Sequence, residues 1–245
     1  MDGAVPWSAI EAVFLDVGNT VVGIDVELVA ARLAPLGVRV EAEAVLRAEA
    51  RARPALSRAL AAGEDARRGD FLLYLELILA HLPAGSAPAP SERREAIAAE
   101  LGPTLREPGA SDQLWNRPLP GAREALDRLR SLGLPVIAVS NSDGTAARSL
   151  ERAGLRDGFD AVVDSHVIGA AKPARAIFEA ALAHVPSIAR ERIVHVGDIL
   201  DVDVVGARGA GLHAVLLDPF DDWTATAGVE RCRDVGVVAE RLAQD

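Results

Sequence analysis

Hydrophobic and polar residues follow two different periods along this chain of 245 residues. Between residues 25 and 106, apolar side chains recur at helical spacing in segments rich in Ala, Leu, Arg and Glu. This pattern predicts four helices, over 25–35, 41–62, 65–82 and 91–106. Loops are predicted at the breaker-rich segments 83–90 and 111–120. Nothing in this block has the alternation typical of a strand.

The remainder of the chain alternates short apolar runs with helical segments. The runs predict strands over 12–16, 134–139, 161–163, 193–196 and 214–217. Helices are predicted over 122–132, 144–153, 174–184 and 202–210. Alternation of this kind with short loops indicates an α/β fold with a doubly wound parallel sheet. A single strand is not stable alone, so residues 1–22 and 115–245 are predicted to form one core domain, with residues 23–114 inserted as an all-helical domain.

Composition narrows the class of protein. Half of the residues are apolar but only 4% are aromatic, which is typical of a parallel sheet covered by helices. A net charge of −10 argues against a nucleic-acid or anionic-membrane surface. The longest apolar stretch, 71–82, is too short to span a bilayer. The sole cysteine, Cys232, and the lack of a basic, apolar leader predict a cytoplasmic protein.

Polar side chains terminate three of the predicted strands. Asp16, Ser140 and Asp198 each end or directly follow an apolar run. Ligands of open parallel sheets bind beyond the carboxyl ends of the strands, so the three side chains should share one crevice. Lys172, the only lysine beside 25 arginines, precedes a predicted helix and can reach the same place. Lysine at a single position indicates a need for a compact ammonium group that arginine cannot supply.

These residue types fit phosphoryl transfer. The Asp16 carboxylate could attack phosphorus and form an aspartyl phosphate, which divides one difficult step into two. Lys172 would screen the carboxylates and bind a phosphate oxygen, and Ser140 would donate a further hydrogen bond. The sequence therefore indicates a phosphate site.

The same crevice is predicted to bind a hard divalent cation, Mg²⁺. Oxygen ligands suit such a cation, which would reduce the repulsion between carboxylate and phosphate. Asp16 and Asp198 could ligate it directly, and Asp203 could reach it through a water molecule. Asp201 is an alternative ligand, although at the start of a helix it would instead cap the helix or face solvent.

Four segments of the chain resemble the four motifs of the haloacid dehalogenase (HAD) superfamily. They are 16–20, 139–141, 172–173 and 196–207, in the family's order and spacing, over roughly 10–22 and 115–220. The resemblance implies a Rossmann-like core, a mobile helical cap after the first motif, and hydrolase activity. It also implies a site role for Asn141 beside Ser140, and a metal-ligating backbone carbonyl at Gly18.

Position 18 departs from the pattern of the family's phosphatases. Those enzymes carry a second aspartate there, which protonates the leaving group and later activates water. Loss of a positioned general acid commonly costs about 10²–10⁴ in rate. A glycine could instead serve a strained loop. Either the leaving group departs without a proton, or a cap residue such as Glu64, Asp65 or Asp70 supplies one.

The residues leave three alternatives to a phosphatase. A phosphonatase needs a cap lysine, and residues 1–171 contain none. A haloacid dehalogenase needs no metal and uses an arginine to hold the halide; the insert offers several, namely Arg32, Arg39, Arg47, Arg51 and Arg53. Asp198 with Asp203 argues against that reaction, and a protein that binds a phosphorylated ligand without turnover is the third alternative. The favoured prediction is a Mg²⁺-dependent phosphatase acting on a small phosphorylated metabolite, with the oligomeric state left open.

Overall fold

The computed structural model describes residues 4–63, 70–86, 90–106, 111–224, 226 and 228–244. The chain divides into two compact units. The core unit comprises Met1–Gly23 and Trp115–Asp245, and the helical unit comprises Ile24–Leu114. None of the described helices is both long and apolar enough to cross a bilayer.

The strands of the described residues are, in chain order, β1 (Ala12–Leu15), β2 (Val22–Ile24), β3 (Trp115–Pro118), β4 (Val136–Ser140), β5 (Ala161–Asp164), β6 (Ile193–Gly197), β7 (His213–Leu217) and β8 (Glu230–Cys232). The α-helices are α1 (Val26–Leu33), α2 (Ala42–Ala61), α3 (Asp70–His81), α4 (Ser91–Arg106), α5 (Ser111–Leu114), α6 (Ala122–Ser131), α7 (Ala146–Arg152), α8 (Ser165–Ile168), α9 (Arg175–Leu182), α10 (Val205–Gly209) and α11 (Val235–Leu242).

The core unit is built on a six-stranded sheet in the order β5-β4-β1-β6-β7-β8, and every pairing in it is parallel. The predicted doubly wound parallel sheet is confirmed. The chain builds outward from β1 through β4 to β5 and then crosses to β6 on the other side of β1. Adjacent connections therefore diverge at the carboxyl end of β1, which is where such sheets form a ligand crevice.

Alternate side chains of β1 enter two apolar clusters, one on each face of the sheet. Val13 and Leu15 pack in a cluster with residues of α6, α7 and α11. Ala12 and Phe14 pack in the other cluster, with residues of α9 and α10. Because both faces are covered, every residue of β1 is buried, which explains its unbroken apolar sequence.

Several predicted boundaries differ from the structure. The loop predicted over 111–120 is wrong, because residues 111–114 form α5 and residues 115–118 form β3, which pairs with β2. Strand β8 was not predicted either. Strands β3 (Trp-Asn-Arg-Pro) and β8 (Glu-Arg-Cys) are short and largely polar, so neither has the apolar run that predicts β1 and β5. Before α10, the chain forms a π-helical turn, Leu200–Val204, where an α-helix was predicted.

The described elements of the helical unit are helices apart from the last residue of β2, with α3 packed against both α2 and α4. Helix α1 begins after Asp25, whose carboxylate accepts a hydrogen bond from the Leu28 amide at 3.0 Å. A buried ion pair lies within the unit: the Arg53 guanidinium donates two hydrogen bonds to Glu49, at 2.9 and 2.6 Å. The Tyr74 hydroxyl also donates to Glu49, at 2.9 Å.

Candidate active site

Lys172 joins two carboxylates at the carboxyl end of the core sheet. Its ammonium nitrogen lies 2.5 Å from Asp16 Oδ1 and 2.8 Å from Asp203 Oδ1. Asp16 directly follows β1, and its backbone amide donates to the Val196 carbonyl of β6 at 2.9 Å. All three charged side chains are buried, and only 1% of the lysine side chain is exposed. The lysine therefore neutralises charge where water cannot.

The pKa values of the three groups differ in the direction of their change. Burial raises the pKa of Asp16 to about 6, although the positive charge of Lys172 opposes this. Burial disfavours charge on Lys172 and on Asp203 too, but their mutual attraction outweighs it. The pKa of Lys172 is raised and the pKa of Asp203 is lowered. Asp16 is thus the carboxyl group of this set that takes up a proton most easily.

Asp203 is held by the backbone as well as by side chains. The Ile199 amide donates to its Oδ2 at 3.0 Å, and His195 Nε2 lies 3.0 Å from its Oδ1. A side chain at Gly197 would collide with the Asp203 carboxylate, so glycine is required there for the close approach. The π-helical turn places Asp203 over this face of β6.

His195 belongs to this arrangement, although the sequence favours a purely structural interpretation. The ring is fully buried, and burial lowers the pKa of the imidazole. A neutral imidazole whose Nε2 carries the proton would donate it to the ionised Asp203. The Phe178 ring packs against the imidazole in an edge-to-face arrangement, with 5.3 Å between the ring centroids. The period of two along β6 indicates the face on which His195 lies, but not the partner that covers it.

The geometry fits a divalent cation. Within the described residues, Asp16, Asp198 and Asp203 each offer a ligand atom, and these atoms lie within 4.8 Å of one another. Three buried carboxylates facing the single charge of Lys172 leave an excess of negative charge, which is unfavourable without a cation. Both oxygens of Asp203 already accept hydrogen bonds from the protein. Asp203 therefore has no side-chain oxygen without a protein donor.

The second predicted motif also lies at this edge of the sheet. Ser140 is buried as the last residue of β4, the strand that pairs with β1. The Asn141 side chain binds the backbone of Lys172 twice: Nδ2 donates to the Lys172 carbonyl at 2.9 Å, and Oδ1 accepts from the Lys172 amide at 2.7 Å. Asn141 therefore positions the lysine, which the sequence did not indicate.

Gly18 lies in a tight turn between Asp16 and β2. It forms an isolated bridge with Val22, and the Asn19 amide donates to the Val22 carbonyl at 2.7 Å. Of the acids considered as substitutes for a side chain at position 18, Glu64 and Asp65 lie outside the described residues. Asp70 begins α3, where its carboxylate accepts a hydrogen bond from the Phe71 amide.

One of the arginines considered for halide binding is already engaged. Arg53 is 4% exposed and forms two hydrogen bonds with Glu49, which is completely buried. Its role in the helical unit is therefore to compensate a buried carboxylate. Arg32, Arg39 and Arg51 are exposed.

Parts of the chain are similar in sequence to known phosphatases. A ribulose-1,5-bisphosphate 5-phosphatase of Halopiger xanaduensis is 38% identical over 114 residues, which is 46% of this chain and 47% of that protein. A pyrimidine 5′-nucleotidase of Escherichia coli is 39% identical over 95 residues, or 39% of this chain and 42% of that protein. The chain spans about half the length of the curated relatives it matches.

Solved structures show the same fold over nearly the whole chain. A magnesium-bound HAD-hydrolase of Bacillus subtilis has a TM-score of 0.64 at 17% identity, covering 95% of this chain and 98% of that one. Structures of this fold include phosphatases and dehalogenases, so the fold alone leaves the reaction open. The haloacid dehalogenase-like hydrolase model matches residues 10–211, which include all four motifs and the helical unit. The chain belongs to the haloacid dehalogenase-like hydrolase family.

Proposed function

We propose that this hydrolase is a Mg²⁺-dependent phosphatase that cleaves a small phosphate monoester, with Asp16 as the nucleophile. The observation that carries the proposal is the buried ion-pair network in which Lys172 bonds to both Asp16 and Asp203. A lysine shared by two carboxylates, with Asp198 beside them, provides positive charge and cation ligands at one sheet edge. Phosphoryl transfer needs both, because charge accumulates on the phosphoryl oxygens.

The reaction would proceed in two displacements. An oxygen of the Asp16 carboxylate attacks phosphorus, the ester P–O bond breaks, and its electron pair departs with the leaving group. Water then attacks the phosphorus of the aspartyl phosphate, releasing phosphate and restoring the carboxylate. Lys172 keeps Asp16 ionised and close to the phosphoryl group, and Ser140 donates to a phosphoryl oxygen.

The residues that would hold Mg²⁺ are Asp16, Asp198 and the Gly18 carbonyl, with Asp203 reaching it through water. When bound, the ion reduces the repulsion between the phosphate and the nucleophilic carboxylate. Asp203 also holds Lys172 in place, because its Oδ1 accepts a hydrogen bond from the ammonium group. His195 and the Ile199 amide in turn hold the Asp203 carboxylate. Names of the relatives support a small phosphorylated substrate, since a bisphosphate phosphatase and a nucleotidase are among them.

Dehalogenation is the second candidate, and the absence of an acid–base side chain at position 18 favours it. In that reaction the same aspartate would attack carbon, and no leaving-group proton would be needed. The buried carboxylate cluster of Asp16, Asp198 and Asp203 speaks against it, because a halide site has no use for additional negative charge.

A substrate panel distinguishes the candidates. Wild type, Asp16→Asn and Asp201→Asn would be assayed with p-nitrophenyl phosphate, acetyl phosphate and 2-chloropropionate, with Mg²⁺ or with EDTA. We expect wild type and Asp201→Asn to release phosphate only with Mg²⁺, and Asp16→Asn to be inactive. Chloride release in EDTA would instead establish the dehalogenase. Tight phosphate binding without turnover of any substrate would refute both enzymatic proposals.

A further inference from the structure

An aromatic ring lies directly against Gly18. A Cβ placed on this residue would meet three atoms of the Trp115 six-membered ring, Cζ3 at 3.1 Å, Cη2 at 3.4 Å and Cε3 at 3.5 Å. The shortest of these is tighter than ordinary van der Waals contact. The indole therefore occupies the space into which any side chain at position 18 would project.

The core unit holds this ring in place. Trp115 is the first residue of β3, which pairs with β2, and it packs against the apolar cluster that contains Val17. Trp115 as a residue is only partly buried. Both Trp115 and Gly18 lie in the core unit.

The position that the ring contacts is close to the nucleophile along the chain. Gly18 is two residues beyond Asp16, and Val17 between them points into the apolar cluster. Consecutive Cα atoms lie about 3.8 Å apart, so the Cα of Gly18 is at most about 7.6 Å from the Cα of Asp16. Lys172 and Ser140 would hold the phosphate. The indole adds an apolar surface at the same segment.

We propose that Trp115 is a specificity-determining residue whose indole packs against the organic part of the substrate and favours aryl phosphates. The inference rests on the proposed phosphatase function. Two features of the site act in the same direction. The ring offers an aromatic surface, and Gly18 supplies no proton, so the leaving group must be acidic enough to depart as an anion. Phenols with electron-withdrawing groups satisfy both conditions.

Glycine and tryptophan form a matched pair in this arrangement. Alanine at position 18 would force the ring to shift by a few tenths of an ångström, and a longer side chain would displace it. An aspartate introduced at position 18 alone would therefore lack the space to reach the leaving group. It should act as an acid only when Trp115 is also made smaller.

The first experiment compares two activated substrates that differ in the presence of a ring, p-nitrophenyl phosphate and acetyl phosphate. Trp115→Ala should lower kcat/KM for the aryl ester relative to the acyl phosphate by about 3- to 10-fold, chiefly by raising KM. Trp115→Phe should retain most of the preference. Trp7→Ala is the matched control, because Trp7 is also partly buried against the same apolar cluster, and its ratio should equal that of wild type.

The second experiment measures the contact without using activity. Thermal unfolding of wild type, Gly18→Ala, Trp115→Ala and the double variant forms a cycle. Gly18→Ala should lower Tm in the wild-type background and have a smaller effect when Trp115 is already alanine. Additive changes would show that the ring does not crowd position 18, and would overturn the matched pair.

The outcomes separate this inference from the function on which it rests. If wild type hydrolyses both substrates and the ratio is the same in Trp115→Ala, the inference is overturned and the phosphatase stands. If the ratio changes equally in Trp7→Ala, the inference is overturned as well, because the effect is then not specific to the ring at Gly18. If wild type hydrolyses neither substrate, the proposed function fails and the inference fails with it.

Discussion

Replacing Lys172 by methionine should destabilise the folded protein at neutral pH and abolish turnover. Methionine retains much of the length and apolar bulk of the lysine stem but removes its charge. The perturbation leaves Asp16 and Asp203 buried without the ammonium that now lies 2.5 and 2.8 Å from their oxygens. It therefore isolates the electrostatic role of the only lysine in the chain.

The size of the effect follows from burial. The lysine side chain is 1% exposed, and removing one partner of a buried ion pair typically costs about 3–5 kcal/mol. Two features place the expected loss at the lower end, about 3 kcal/mol. Asp203 retains its bonds from His195 and from the Ile199 amide. Asp16, with a pKa already near 6, can take up a proton once Lys172 is absent.

The loss should depend on pH in a defined direction. The pKa of Asp16 in the folded protein, about 6, lies above its usual value of 3.8, so the folded state binds more protons than the unfolded state between these values. Folding is therefore favoured as pH falls through about 6, and the favourable effect is lost as pH rises. Without Lys172 the pKa of Asp16 should rise further. The difference between variant and wild type should thus be smaller at pH 5 than at pH 7.5.

Urea unfolding of metal-free protein at the two pH values measures these quantities. Arg175→Met provides the control: it removes the cation that begins α9, whose side chain is 64% exposed in an ion pair with Glu179. Such surface pairs contribute little to stability, so this variant should unfold like wild type. Equal stability of Lys172→Met and wild type at pH 7.5 would refute the buried ion-pair network.

Three further predictions concern the metal site and the helical unit. Calorimetry should show Mg²⁺ affinity falling below pH about 6, because protons then compete for Asp16, whose pKa is raised to that value; affinity that is unchanged between pH 5.5 and 8 would contradict this. Asp198→Asn should weaken Mg²⁺ binding at least about tenfold, whereas Asp201→Asn, which lies outside the carboxylate cluster of the described residues, should not. Glu49→Gln should destabilise the protein by about 3 kcal/mol in urea unfolding, because the buried Arg53 guanidinium loses its counterion; a loss below about 1 kcal/mol would refute that role.

The sequence predicted the fold and the convergence of the strand ends because both depend on local patterns. Uninterrupted apolar runs predict buried parallel strands, and the polar residues that follow them must lie along one edge. Asp16 and Asp198 are brought together in this way, each directly after a strand of the central pair. Lys172 is predicted to reach the same edge because it is the only lysine in the chain and precedes a helix, and its ammonium group does contact Asp16 there.

Local sequence patterns do not predict which distant segments contact each other. His195 was interpreted as structural, since alternation along β6 identifies a buried face but not its occupant. The structure shows that face covered by Asp203, which approaches because Gly197 has no side chain. Asn141 is predicted as a site residue only through the family resemblance. Its two bonds to the Lys172 backbone depend on how segments 31 positions apart pack together.

The contact between Trp115 and position 18 changes how Gly18 is interpreted. In the sequence, Gly18 stands where the family's phosphatases carry a general acid, so the obvious test is the variant Gly18→Asp. In the structure, the helical unit separates Gly18 from Trp115 in sequence, yet the indole fills the space that the aspartate would need. The glycine therefore leaves room for the ring, in addition to lacking a carboxylate. A gain of general acid catalysis should consequently appear in Gly18→Asp combined with Trp115→Ala, on poor leaving groups such as alkyl phosphates, and not in Gly18→Asp alone. An equal gain in the single variant would show that the ring moves aside freely, and the two positions would then be independent.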